Sequence, residues 1–227
     1  MTISIPATTI SANLDTVRQR VSKAATAAAR AHSTIHLIAV SKTHSEAAVR
    51  EAIAAGQLIF GENRVQEAAT KFPALKAENP KLELHLIGPL QSNKTREAVA
   101  LFDAIHTLDR PSLAQALATE FQRAGRTTKL FVQVNTGEEP QKSGIAPKET
   151  LAFLEKCKEE WKLNVSGLMC IPPADEEPSP HFALLLKLAR QAGLTELSMG
   201  MSHDYETAIA LGATHIRVGS AIFGDRA

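Results

Sequence analysis

Short apolar runs rich in β-branched residues alternate with longer stretches of helical period along this chain. Residues 10–31 read as an alanine-rich helix, with Ser11 or Asn13 available as its N-cap. Residues 35–41 are the first expected strand. Ser45 then opens a helix through Ala55, and Gly56 closes it just past the C-cap. Further strands are expected at 58–61, 82–87, 104–108, 129–135, 165–170, 196–199 and 215–218. Helices are expected between them at 65–72, 93–102, 112–125, 147–162, 182–192 and 204–211. Eight strands, each followed by a helix or helical turn, predict a parallel sheet, and eight is the number that closes a barrel. A doubly wound open sheet is the alternative, but it carries a glycine-rich phosphate turn after its first strand. Here that strand runs into Lys42-Thr43-His44, with no glycine until Gly56. The fold expected is an α/β protein built as a single (β/α)8 TIM-type barrel domain over residues 1–227, with an extra N-terminal helix.

Composition narrows the function classes. At 227 residues, 44% hydrophobic and 22% charged, the chain has the makeup of a soluble globular protein with a substantial core. A net charge of +1 offers no broad field to nucleic acid or an anionic membrane, so any bound anion is small and held locally. Cys157 and Cys170, the only cysteines, lack metal or redox spacing and read as structural thiols of a reducing compartment. The segment 1–13 has no basic n-region or apolar h-region, and no later stretch reaches transmembrane length. A cytoplasmic monomer that binds neither nucleic acid nor membrane is expected. The segment 171–180, with four prolines and the triplet Asp175-Glu176-Glu177, reads as a solvated loop, a lid being the alternative.

Lys42 stands where a buried strand opens into a loop. An amine delivered by a rigid strand can be desolvated, lose its proton and attack a carbonyl as a Schiff-base lysine. In a (β/α)8 barrel, ligands sit at the C-terminal strand ends, and the loops after strands 7 and 8 often hold phosphate. Those loops begin here at Gly200-Met201-Ser202 and Gly219-Ser220. Glycine lets backbone N–H groups approach, the serines add hydroxyl donors, and a helical turn from Ser220 would add free N–H groups. Arg217, by residue type, is an ion-pair partner at the barrel mouth. The more specific reading is a hydrogen bond to an unprotonated pyridine nitrogen, because a guanidinium keeps its proton. Asn63 reads as a helix cap or as a donor to a ring substituent. Ile87, Met169 and Met201 either pack on the faces of a flat ring or belong to the core. His85, His106 and His215 lie on different strands without ligand spacing, and no metal is expected. Lys42 and the two phosphate loops together point to a pyridoxal phosphate site.

The same segments resemble the pyridoxal phosphate homeostasis protein family, which is related in fold to the N-terminal barrel of alanine racemase. The resemblance runs from about residue 35 to residue 226. It rests on Ala39-Val40-Ser41-Lys42, Phe60-Gly61-Glu62-Asn63, and His85-Leu86-Ile87-Gly88-Pro89-Leu90-Gln91-Ser92-Asn93-Lys94. Val134-Asn135-Thr136-Gly137, Lys142-Ser143-Gly144, Gly167-Leu168-Met169, Leu197-Ser198-Met199-Gly200-Met201-Ser202 and Arg217-Val218-Gly219-Ser220-Ala221-Ile222-Phe223-Gly224 complete it. It implies that Lys42 forms the internal aldimine with pyridoxal 5′-phosphate (PLP). It also implies that Ser202, Gly219 and Ser220 hold the phosphate, that Arg217 faces the pyridine nitrogen, and that Asn63 touches the cofactor; Met201, from its own reading, joins them as a ring contact. The family's role is to handle the vitamin B6 cofactor and keep amino- and keto-acid pools balanced, with no established enzymatic activity.

The resemblance also implies a rival, a PLP-dependent amino-acid racemase. Racemisation needs a base on each cofactor face, and Lys42 supplies one. In the racemase the second base is a tyrosine from a separate C-terminal domain, whereas the only tyrosine here, Tyr205, reads as a packing residue. With the chain ending after the barrel, the site is expected to be open to solvent, which favours cofactor exchange over protected carbanion chemistry. A carrier without turnover is expected, with PLP-dependent apo-enzymes as recipients. A third class, a phosphate-sugar isomerase or lyase, would need a strand-end base such as Glu62 or His85.

Overall fold

Consecutive residues of a strand face opposite ways, and in this chain both faces carry information. The computed structural model describes residues 9–224. Strands β1 (His36–Val40), β2 (Ile59–Glu62), β3 (Glu83–Leu86) and β4 (Ala104–Leu108) pair in parallel in sequence order. The order continues through β5 (Lys129–Gln133), β6 (Val165–Met169), β7 (Glu196–Ser198) and β8 (His215–Val218). β8 then pairs with β1, closing the barrel expected from the sequence. Helices α1 (Ile10–Ala27), α2 (Glu46–Ala54), α3 (Val65–Glu78), α4 (Thr95–Leu101) and α5 (Pro111–Ala124) surround it. α6 (Thr150–Glu159), α7 (Pro178–Gln191), α8 (Tyr205–Ala210) and the single turn α9 (Ser220–Phe223) complete the ring. Among the described residues no helix is long and apolar enough to cross a membrane.

α1 is the additional helix. Its cap is Thr9, whose Oγ1 accepts from the Ala12 N–H at 3.2 Å, rather than Ser11 or Asn13. Asn13 is used differently: its Nδ2 donates to the Ile222 carbonyl at 2.9 Å and ties α1 to α9. The helix ends at Ala27 rather than 31, because the chain turns through Ala29 at φ 53°. α3 continues past Pro73 to Glu78. The helix expected over 147–162 divides into a 3-10 turn, Pro147–Glu149, and α6. α7 starts four residues before the expected 182, with Pro178 in the first turn, where its missing N–H costs nothing. The proline-rich loop is correspondingly shorter.

The apolar core lies mainly between sheet and helices. Ala39, Phe60, Leu84, Leu86, Val132 and Ile216 face outward into it. The barrel interior is different: Ile38, Phe131 and Met169 share it with His85, His106, Ser198, His215 and Arg217, all buried. The His106 ring stacks on Phe131 with centroids 4.2 Å apart, and Phe131 meets His215 edge-on at 5.0 Å. The three histidines that lie apart in sequence are thus neighbours, and among the described residues no grouping could hold a metal ion.

Burial, reinforced by the neighbouring His85, pushes His106 well below the usual histidine range and His215 down to about 2. Both are therefore neutral in the fold. In the unfolded chain each takes up a proton near pH 6.5, so below that pH the unfolded state binds more protons and stability falls. The slope expected is about 1.4 kcal/mol per pH unit for each histidine. Urea unfolding midpoints should drop as pH is lowered from roughly 7 to 5, and midpoints that stay level or rise would contradict the buried neutral pair.

Candidate functional site

The alternation that builds the barrel also builds its mouth. On β1, Ile38 and Val40 face inward, so Ser41 turns outward and Lys42 turns into the mouth. On β2, Gly61 is inward: a Cβ there would lie 2.9 Å from Ile38 Cγ2. Glu62 is consequently outward and Asn63 inward. The same count brings His85 and Ile87 inward from β3, and His215, Arg217 and Gly219 inward from β8.

A cavity of about 490 Å³ opens there. Lys42, Asn63, Arg217, Gly219 and Ser220 line it, and Met201 and Ser202 join them from the loop after β7. All seven residues singled out in the sequence thus surround one space, at the strand ends where barrel ligands sit. Ile87 also lines it, whereas Met169 is fully buried below. Glu62 and His85, the candidate bases of an isomerase, do not line it; one points outward and the other lies deeper in the barrel. Among the described residues no carboxylate contributes to the lining.

Backbone geometry at the mouth depends on glycine at two points. Gly200 has φ 93°, and a Cβ there would meet Ala208 Cβ at 2.6 Å. A Cβ at Gly88 would lie 2.3 Å from the Asn63 carbonyl oxygen, so only glycine lets the β3 end pass the Asn63 loop. Ser202 Oγ accepts from the Gly219 N–H at 3.4 Å and joins the two phosphate-type loops.

Arg217 is 4% exposed, and both its terminal nitrogens are engaged from the barrel side. Nη1 donates to Ser198 Oγ at 2.7 Å and Nη2 to the Cys170 carbonyl at 2.9 Å. Burial pulls its pKa below that of a solvated guanidinium, but a group this basic remains a donor at neutral pH.

What holds the Lys42 loop from beneath left no signal in the sequence. Lys71, on α3, donates to the carbonyls of Ser41 at 2.9 Å and His44 at 3.0 Å. It also lies 2.8 Å from Glu62 Oε1, which accepts from Ser41 Oγ at 2.7 Å. Between these anchors Thr43 adopts φ 66°, a strained region for a β-branched residue, and its N–H donates to Glu67 Oε1 at 2.6 Å. Glu62 is completely buried, and burial pushes its carboxyl above the usual range against the pull of Lys71 and Ser41. His44 and His203 also line the cavity, the former stacked on Phe223 with centroids 4.8 Å apart. Both sit in loops already marked as strand ends, which was their one available signal.

The sequence profile of the alanine racemase N-terminal domain matches residues 10–227. A pyridoxal phosphate homeostasis protein of Pseudomonas aeruginosa is 46% identical over 223 residues, covering 96% of both chains. The chain belongs to the pyridoxal phosphate homeostasis protein family. Its Escherichia coli member is 40% identical, with 96% of this chain and 97% of that one covered. Among solved structures, the family member PipY of Synechococcus elongatus, with PLP bound, is 42% identical. The match has a TM-score of 0.81 and covers 95% of this chain and all of PipY. Alanine racemase from Acinetobacter baumannii shares the fold, at 15% identity and TM-score 0.70, over 94% of this chain and 60% of its own.

Within this family member, Lys71→Met should leave the Glu62 carboxyl buried without its partner, at a cost of about 3 kcal/mol. Adding Glu62→Gln should recover part of that loss. Denaturant titration of the single and double variants checks this; a single-variant cost of about 0.5 kcal/mol, typical of exposed pairs, would show that Lys71 is no clamp.

Proposed function

We propose that this chain binds PLP covalently through Lys42 and acts in vitamin B6 and amino/keto-acid homeostasis as a carrier rather than by turnover. The observation that carries the reading is the convergence of Lys42, Arg217 and the two serine-bearing glycine loops on one cavity. The chemistry of this donor set fits the cofactor. An amine meets an aldehyde, hydroxyls and backbone N–H groups meet a phosphate, and a guanidinium meets a ring nitrogen. The volume lies in the ordinary range for a small-ligand site. A relative 42% identical has PLP bound, which supports the same ligand here.

Bound PLP supplies an aldehyde and an electron-accepting ring. Lys42 contributes the amine that condenses with that aldehyde, releasing water. Ser202, Gly219 and Ser220 hold the phosphate, Asn63 contacts the ring's substituents, and Ile87 and Met201 pack against its faces. Arg217 donates to the ring nitrogen and cannot protonate it, so the ring stays a weaker acceptor of electrons. Tyr205 is buried and does not line the cavity, so the chain's only tyrosine is not placed as a second base. Met201 is 36% exposed at the rim, and Ile171, past the end of the neighbouring β6, 37%, consistent with a cofactor that can be exchanged. Delivery to PLP-dependent apo-enzymes is the role that this geometry supports.

The purified protein should show a visible absorption band, and borohydride reduction should fix the label on Lys42 by peptide mapping. Lys42→Ala should lose the band. A wild type that stays colourless with added PLP would remove the reading, and fast alanine racemisation dependent on Lys42 would replace carrier with enzyme.

A further inference from the structure

One hydrogen-bonded chain runs from the cavity floor down through the barrel. Arg217 Nη1 donates to Ser198 Oγ at 2.7 Å, and Ser198 Oγ lies 2.8 Å from His106 Nδ1. His106 Nε2 lies 3.1 Å from His85 Nδ1, and His85 Nε2 lies 3.4 Å from Glu83 Oε2. The members come from β8, β7, β4 and β3, so no local motif joins them. All are buried except Glu83, which lies at the opposite end of the barrel from the cavity.

The direction of this chain depends on where the Ser198 proton goes. A guanidinium has donors only, so the Ser198 hydroxyl accepts from Arg217 and keeps its own proton to donate, in the proposed arrangement to His106 Nδ1. His106 then carries its proton on Nε2 and donates to His85 Nδ1. The His85 proton is left on Nε2, facing the Glu83 carboxylate. Each group has one role, and the sequence of roles requires a neutral His106. The charged and titratable groups around that ring, His85, His215, Arg217 and Lys129, all favour the neutral form, as does its burial.

We propose that Ser198 and His106 are positioning residues for Arg217, holding its guanidinium plane toward the ring nitrogen of the cofactor. With Nη1 on Ser198 and Nη2 on the Cys170 carbonyl, the plane has a single orientation. Removal of the Ser198 hydroxyl frees one edge of the guanidinium and leaves His106 Nδ1 without its donor. The proposal rests on the reading that the cavity holds PLP.

Two measurements test it. Two-bond proton–nitrogen NMR on the full chain should show His106 and His85 protonated on Nε2, with or without PLP. In PLP-loaded protein, Ser198→Ala should release cofactor roughly tenfold faster, the effect of one lost charge-assisted hydrogen bond, and shift the pH midpoint of the visible band. Ser198→Thr, which keeps the hydroxyl, should restore both. An Nδ1–H tautomer at His106 overturns the chain, as does a Ser198→Ala variant identical to wild type. A threonine variant that behaves like alanine assigns the effect to packing and overturns the hydroxyl's role. A wild type that takes up no PLP overturns the cofactor reading itself, a result distinct from a wrong tautomer in loaded protein.

Discussion

A closed parallel barrel gives every strand two faces and no edge, and consecutive residues must divide between them. Much of what is distinctive here follows from that division. The outward set, with Phe60, Leu84, Leu86 and Ile216, meets the helices in a continuous apolar layer. The inward set is what remains for the interior, and at the C-terminal rim its next members become the site. Lys42 faces the cavity because Val40 does, and Ser41 between them is sent to Glu62 on the outer side. A one-residue slip of β1 would exchange Ser41 and Lys42. The pairing of Ala39 with Phe60 and with Val218 on its other side pins it against that slip.

An interior of histidine, serine and arginine carries a demand that branched apolar residues would not impose. Each polar group must find a partner away from water, or the fold loses the desolvation energy of that group. Much of the demand is met by the hydrogen-bonded chain from Arg217 through Ser198 and His106 to His85. Strain is also found where Lys42 is presented: at left-handed Thr43 and at Glu62, whose Oε2 has no hydrogen-bond partner among the described residues. Such departures persist only where surrounding bonds over-determine them, and Lys71 and Glu67 provide those bonds.

Much of this was legible in the sequence, and what was not has a physical reason. The two hydrophobic periods located all eight strands, and their number, with no glycine-rich turn after the first, favoured the closure that the fold shows. Strand ends were sufficient to gather the seven residues that share the cavity, because barrel topology brings every such end to one rim. Partnerships across strands were not legible. His85, His106 and His215 looked like unrelated strand residues, since their contact depends on barrel stagger rather than spacing. Nothing in the sequence around Lys71 marks the partners it finds in the fold, the Ser41 and His44 carbonyls and Glu62. Helix ends failed for a local reason: Thr9, Ser11 and Asn13 are all competent caps, and tertiary contact with Ile222 decided which did what.

The proposed carrier role and the arginine at the ring nitrogen belong to one argument. An acid at that position would protonate the ring and strengthen it as an electron sink. In the proposed site, a buried guanidinium fixed by Ser198 and the Cys170 carbonyl would supply a hydrogen bond and no proton. It would add to the hold on the ring while leaving the ring's appetite for electrons low. Secure holding with weak activation disfavours carbanion chemistry, whereas it costs a carrier nothing, because a carrier needs only to keep the aldehyde on an amine until another amine competes for it. The exposed Met201 and Ile171 at the rim are where that competition would begin.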